Sequence, residues 1–147
     1  MTPFESLIGG FSKETGLPLE VDGLESCSLE TDGLVVTLQY RRERGDVAIF
    51  APVSEPGADL PSETFRTALM LACNGEGTRG NFLGLFGDAL ILSAFVPFEG
   101  LTAATLGDRV LAFADAALAV RAALAAPAAE QAAGGASSAE TFDLLHV

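Results

Sequence analysis

Basic residues, histidine and cysteine are all in short supply in this chain, and each shortage closes off a class of function. Eight Lys and Arg stand against 20 Asp and Glu in 147 residues, a formal net charge of −12. Nucleic-acid binding wants clustered cations facing phosphate, and anionic membrane surfaces repel so acidic a protein. The expected partners therefore include neither nucleic acid nor an inserted membrane. The one histidine, His146, stands in an Ala-Gly-Ser-rich tail, which removes histidine-based acid–base or triad chemistry from consideration. Two cysteines, Cys27 and Cys73, are too few for a disulfide framework or a zinc site and read as buried free thiols. No apolar run approaches the ~20 residues of a membrane span. The opening Met1-Thr2-Pro3-Phe4-Glu5 lacks the basic-then-apolar pattern of a secretory signal, so the expected location is the cytoplasm.

What the chain has in quantity is apolar surface. Hydrophobic residues make up 49% of it and the mean hydropathy is +0.38. That is ample for one core, and the length fits one domain of the common ~100–150-residue size. An acidic shell around so apolar a chain suits a protein that keeps greasy surface without aggregating. Acidity alone is also ordinary among bacterial cytosolic proteins.

Local patterns order the elements. Thr2, Pro3 and Glu5 spell a capping box, and Phe4, Leu7, Ile8 and Phe11 then recur at helical spacing up to a stop at Gly16 and Pro18. Gly9-Gly10 weakens this helix by about 1 kcal/mol per glycine, and the sequence does not say whether it serves close packing or flexibility. Cys27–Glu30, Leu34–Tyr40 and Val47–Val53 alternate as strands, separated by turns at Asp32-Gly33 and Gly45-Asp46. A helix over about Pro61–Asn74 carries Phe65, Leu69, Ala72 and Cys73 on one stripe with Met70 beside it. The hairpin Phe82–Phe86 and Ala89–Leu92 turns at Gly87-Asp88. Thr102 then caps a long helix whose stripe is Leu106, Val110, Phe113, Ala117, Val120 and Leu124. The expected fold is α+β, ordered α-β-β-β-α-β-β-α, with a twisted antiparallel sheet flanked by helices over residues 1–125. Residues 126–147 read as a disordered Ala/Gly/Ser-rich tail that ends in the amphipathic piece Phe142-Asp143-Leu144-Leu145.

The candidate chemical motifs have plain explanations. Gly75-Glu76-Gly77-Thr78-Arg79-Gly80 matches GxGxxG, but a dinucleotide site needs a strand before it and a helix after it. The order here is reversed, so the segment reads as a flexible connection. Glu20, Asp22, Glu25, Glu30 and Asp32 fall in turns and strand edges, where a solvated acidic surface puts them. Arg41, Arg42 and Arg44 cluster beside Glu43 and Asp46, as at a solvated hairpin end. No catalytic residue, cofactor or metal is expected. More informative is the apolar surplus on second faces: Val35, Phe50, Leu83, Leu85, Phe95 and Phe98. A large side chain left in water forgoes about 1.5–3 kcal/mol of burial, and self-association or a bound partner resolves that.

Over about Phe4 to Leu124 the chain resembles the Tir-chaperone (CesT-type) family of type III secretion chaperones. The resemblance rests on Leu17-Pro18-Leu19, Cys27-Ser28-Leu29-Glu30, Val36-Thr37-Leu38 and Phe50-Ala51-Pro52-Val53, then on Asn74 leading through glycines to Leu83-Gly84-Leu85 and Leu90-Ile91-Leu92. It implies a homodimeric, ATP-independent chaperone that holds an extended N-proximal segment of a secreted effector encoded nearby, with the export apparatus as a further partner. Effector grooves map by that resemblance onto Phe4, Leu7, Ile8, Phe11, Val35 and Phe50. The dimer face maps onto Phe65, Leu69, Met70, Leu83, Leu85 and Phe95. The Ala-Gly-Ser tail and the Gly9-Gly10 pair depart from the family pattern. Two other readings compete: a small acidic ligand- or metal-binding domain or enzyme working through Asp22, Glu25, Glu30 or Asp32, and a self-associating adaptor of the same fold with no export client.

Overall fold

A computed structural model of the chain describes residues 1–55, 57 and 59–126. The proposed tail, apart from Ala126, lies outside the described residues, as does His146. The elements run α1 (Pro3–Thr15), β1 (Ser26–Thr31), β2 (Leu34–Arg41), β3 (Asp46–Pro52), α2 (Ser62–Ala72), β4 (Phe82–Phe86), β5 (Ala89–Pro97) and α3 (Ala103–Leu124). This is the expected α+β order.

Both capping predictions are realised. The Glu5 amide donates to Thr2 Oγ1 at 3.1 Å, the Glu5 carboxylate accepts from the Thr2 amide, and Gly16 closes α1 in a left-handed conformation. At α3 the Thr105 amide donates to Thr102 Oγ1 at 3.2 Å. Gly10 serves close packing: a β-carbon there would stand 3.3 Å from Ala103 Cβ at the start of α3, whereas Gly9 has open space.

The strands form one antiparallel sheet in the order β1-β2-β3-β5-β4, so the second hairpin joins the meander through β5 and leaves β1 and β4 at the edges. β5 extends to Pro97, beyond the expected Leu92, because it pairs with β3 along its whole length, from Ala51↔Leu92 to Asp46↔Pro97. Side chains alternate between faces. The inner face carries Leu34, Val36, Leu38, Val47, Ile49, Leu92 and Val96, all buried against the helices. All six residues of the α3 stripe are buried. Tyr40 stacks between Phe4 of α1 (5.7 Å between ring centroids) and Phe98 (4.6 Å). Phe98, expected among the outward surplus, therefore packs on the core.

In α2 the buried residues are Thr64 and Ala68, while Phe65, Leu69, Ala72 and Cys73 are exposed, so small side chains face the core and the larger apolar stripe faces away. One expectation is corrected, the flexible reading of the glycine segment. The Gly75–Gly80 segment is a closed, hydrogen-bonded loop. The Gly80 amide donates to the Gly75 carbonyl at 2.8 Å, Asn81 Nδ2 to the Thr78 carbonyl at 2.9 Å, and Thr78 is buried. A β-carbon at Gly77 would stand 2.7 Å from the Leu71 carbonyl oxygen, so this loop lies directly on the end of α2.

Candidate protein-binding surfaces

Strand alternation puts Val35, Thr37, Gln39 and Arg41 of β2 on the sheet face away from the core. Register brings Phe50 beside Thr37 and Ser93, Ser93 beside Phe82, and Ala48 between Gln39 and Phe95. Ile91, opposite Pro52 and Gly84, completes an apolar band across three strands. Val35 and Phe95 are exposed and Phe50 is half-buried, while Phe82 retains 64% and Phe86 81% of its exposure. Gly84 between the two phenylalanines leaves a gap in the relief of the edge strand.

One corner of this face is rigidly built. The Arg41 guanidinium donates from Nε and Nη2 to the two Asp46 carboxylate oxygens at 2.7 and 2.6 Å. Its carbon sits 4.2 Å from the Phe95 ring centroid, and the Phe95 ring meets Phe82 with centroids 5.7 Å apart. A guanidinium held flat by a bidentate carboxylate is well disposed to cover an aromatic face. The same hydrogen bonds hold the Asp46 carboxyl below its ordinary range and raise the Arg41 value further. Arg42 pairs with Glu25 at 2.7 Å. Arg41 thus organises one corner of the face, a role its spacing alone did not reveal, while Arg42 and Arg44 stay exposed at the hairpin end.

The second surface is the outward side of α2 with the edge strand next to it. Leu69 is 74% exposed, with Phe65 and Met70 beside it, and Leu85 of β4 is exposed while Leu83 packs on the core. Phe95 does not belong with Leu83 and Leu85: parity places it on the opposite face, with Phe50 and Phe82. The α1 assignment also changes. Phe4, Ile8 and Phe11 are no more than 3% exposed, and Leu7 is half-buried against the same core. An amphipathic helix beside a sheet buries its stripe first, and this one closes the inner face. Phe82 and Phe86, absent from the sequence candidates, are the most exposed aromatics of the outer face; their i, i+4 spacing across Gly84 in a strand was the available signal.

The remaining candidates do not converge on chemistry. Asp22 accepts the Leu24 and Ser26 amides in a turn and Glu25 is tied to Arg42. Among the described residues no cluster of metal-ligating side chains forms. Burial pushes the Cys27 thiol up to about 11, which keeps it protonated and inert; Cys73 is exposed, against expectation. Among the described residues no helix is long and apolar enough to cross a membrane.

The molecule is a helix-backed sheet with an open aromatic face and a second apolar face on its edge strand and helix. The sequence profile of the Tir chaperone protein (CesT) family matches residues 6–121, and the chain belongs to that family. No curated protein sequence matches it. Among solved structures, a chain of the HopA1–SchA chaperone–effector complex superposes with a TM-score of 0.61 at 24% identity, covering 80% of this chain and 92% of that one. A chain of the Yersinia pestis complex of the type III secretion chaperone SycH with a stable fragment of YscM2 gives 0.56 at 20% identity, covering 80% and 98%. A chain of the ExsC–ExsE complex gives 0.65 at 23% identity, covering 77% and 86%. These likenesses establish the fold.

Proposed function

We propose that the chain is a dedicated, ATP-independent chaperone of a type III secretion effector, working in the cytoplasm as a homodimer. It holds an extended, N-proximal segment of the effector on the outer face of its sheet. The observation that carries this reading is the open band of Val35, Phe50, Ile91, Phe95, Phe82 and Phe86 on a sheet whose other face packs its central strands against the helices. An extended segment laid on such a face offers alternate side chains to its apolar positions, and a large contact offsets the ~2–5 kcal/mol cost of ordering a disordered chain. Family membership supports the chaperone role, and the neighbours that are chaperone–effector complexes support an effector as the client. Val35 and Phe50 remain groove residues in this proposal; Phe4, Ile8 and Phe11 act by holding the sheet that presents them. Phe65, Leu69, Met70 and Leu85 form the proposed dimer face. Residues 1–125 constitute the chaperone domain, with the following segment left to contacts with the export apparatus.

The test is capture of the tagged chain from cells expressing their secretion system, with light scattering and limited proteolysis of the complex. One effector held by two copies, with a protected N-proximal segment, is the expected result, and Leu69→Asp should yield monomers. A dimer without any client under those conditions refutes the chaperone reading.

A further inference from the structure

The Gly75–Gly80 loop has no part in either surface above, yet it is firmly built. Its hydrogen bonds close it on itself, Gly77 packs it against Leu71 of α2, and it presents Arg79 from a left-handed backbone (φ +52). Arg79 lines one wall of a cleft of about 380 Å³ and Arg109 of α3 lines another; Ala94 and Ala112 supply its accessible apolar surface over the buried Ile49 and Phe113, and Asp115 stands on its border. Neither guanidinium has a hydrogen bond or ion pair with any described residue, whereas Arg41, Arg42 and Arg121 are each engaged. In a chain of net charge −12, two unengaged arginines facing one cleft against a single carboxylate make a local positive site.

We propose that Arg79 and Arg109 form an anion subsite that takes the Asp or Glu side chain of an extended partner segment, with flanking apolar side chains on the cleft surface. Guanidinium forks match carboxylate geometry and bind it through charge-assisted hydrogen bonds. Asp115 selects against a more highly charged phosphate, and the apolar wall rewards an aliphatic neighbour of the acid. The inference deepens the chaperone reading by giving the chemistry of one contact of the client, and it rests on that reading.

The experiment follows the Arg79 and Arg109 Nε–Hε resonances of the full-length chain while adding acetyl-Leu-Asp-Leu-amide, acetyl-Leu-Asn-Leu-amide or inorganic phosphate. Saturable shifts with the Asp peptide are expected, about tenfold tighter than with its Asn isostere. They should vanish for Arg109→Gln, followed on the neighbouring Gly80 and Ala112 amides, and for Arg79→Gly. Glycine suits the left-handed backbone, so that variant keeps the loop while losing the charge. Equal affinity for the two peptides, binding that survives both substitutions, phosphate binding as tightly as the Asp peptide, or no saturable shift would each overturn the subsite. Effector capture by a chain that ignores these peptides overturns the subsite alone; peptide binding by a chain that captures no effector overturns the chaperone reading instead.

Discussion

Phe86 offers the cleanest measurement of whether the outer face binds a partner. It retains 81% of its exposure in the chain alone and has no ring contact among the described residues. Full burial of such a side chain is worth about 1.5–3 kcal/mol, so only about 0.3–0.6 kcal/mol of that is realised in the fold. A partner covering the rest would gain about 1.2–2.4 kcal/mol, or about 8- to 60-fold in affinity. Phe86→Ser should therefore weaken the effector segment by that factor, while the fold loses the small burial term and up to about 1 kcal/mol of strand preference. Fluorescence anisotropy of a labelled segment reads the first quantity. Urea unfolding followed by far-UV circular dichroism reads the second, since the chain has no tryptophan. Phe4→Ala is the counterpart: fully buried, it should cost about 3–5 kcal/mol of stability. An affinity unchanged within twofold for a folded Phe86→Ser variant would refute the placement of the client on this face.

Three further outcomes follow from the geometry. Gly77→Ala forces a β-carbon to 2.7 Å from the Leu71 carbonyl oxygen, against backbone rather than a yielding side chain, and should lower stability by about 1–3 kcal/mol; an unchanged thermal midpoint would contradict that packing. Asp46 titrates below its ordinary value because Arg41 binds its ionised form, so its contribution is complete above the ordinary carboxylate range and fades as pH falls through the folded value. Urea midpoints from about pH 5 to about pH 2 should fall less for Asp46→Asn than for the natural chain, by no more than about 1 kcal/mol for this partly exposed pair, and parallel curves would remove the Arg41 linkage. In the native state a thiol reagent should titrate one equivalent, Cys73, and reach Cys27 only after denaturation; two fast equivalents would mean that Cys27 is not held in the core.

Where a local rule fixes an element, it could be read directly. The capping boxes at Thr2 and Thr102 start α1 and α3 because each satisfies the amides that a helix leaves unpaired at its first turn. The α3 stripe is long and lacks a rival, so its six residues are all core. In α2 the same logic is incomplete. Periodicity identifies a stripe but not which stripe turns inward, and the helix approaches its neighbours through Thr64 and Ala68, whose small side chains allow close contact. The larger Phe65 and Leu69 lie on the opposite side of the helix and stay exposed. The glycine loop fails for a related reason: composition suggests slack, while Gly77 is there so that the backbone can lie against Leu71.

The candidate site depends on a longer-range fact, namely which strand stands beside which. Alternation alone separates Phe82 and Phe86 from Leu83 and Leu85, but it cannot say that Phe95 joins the first pair. That follows from two registers together, Ala48↔Phe95 with Phe50↔Ser93, and Ser93↔Phe82, both of which require β5 to sit between β3 and β4. Once β5 is central, Arg41 of β2 lies across the sheet from Phe95, and its pairing with Asp46 turns an exposed basic hairpin end into the wall of an aromatic corner. The α1 stripe then has one destination. With α3 lying along the inner face and the outer face crossed by no helix among the described residues, Phe4, Ile8 and Phe11 pack inward on the apolar core. α1 therefore supports the sheet from its inner side, contributing stiffness there rather than surface on the outer face.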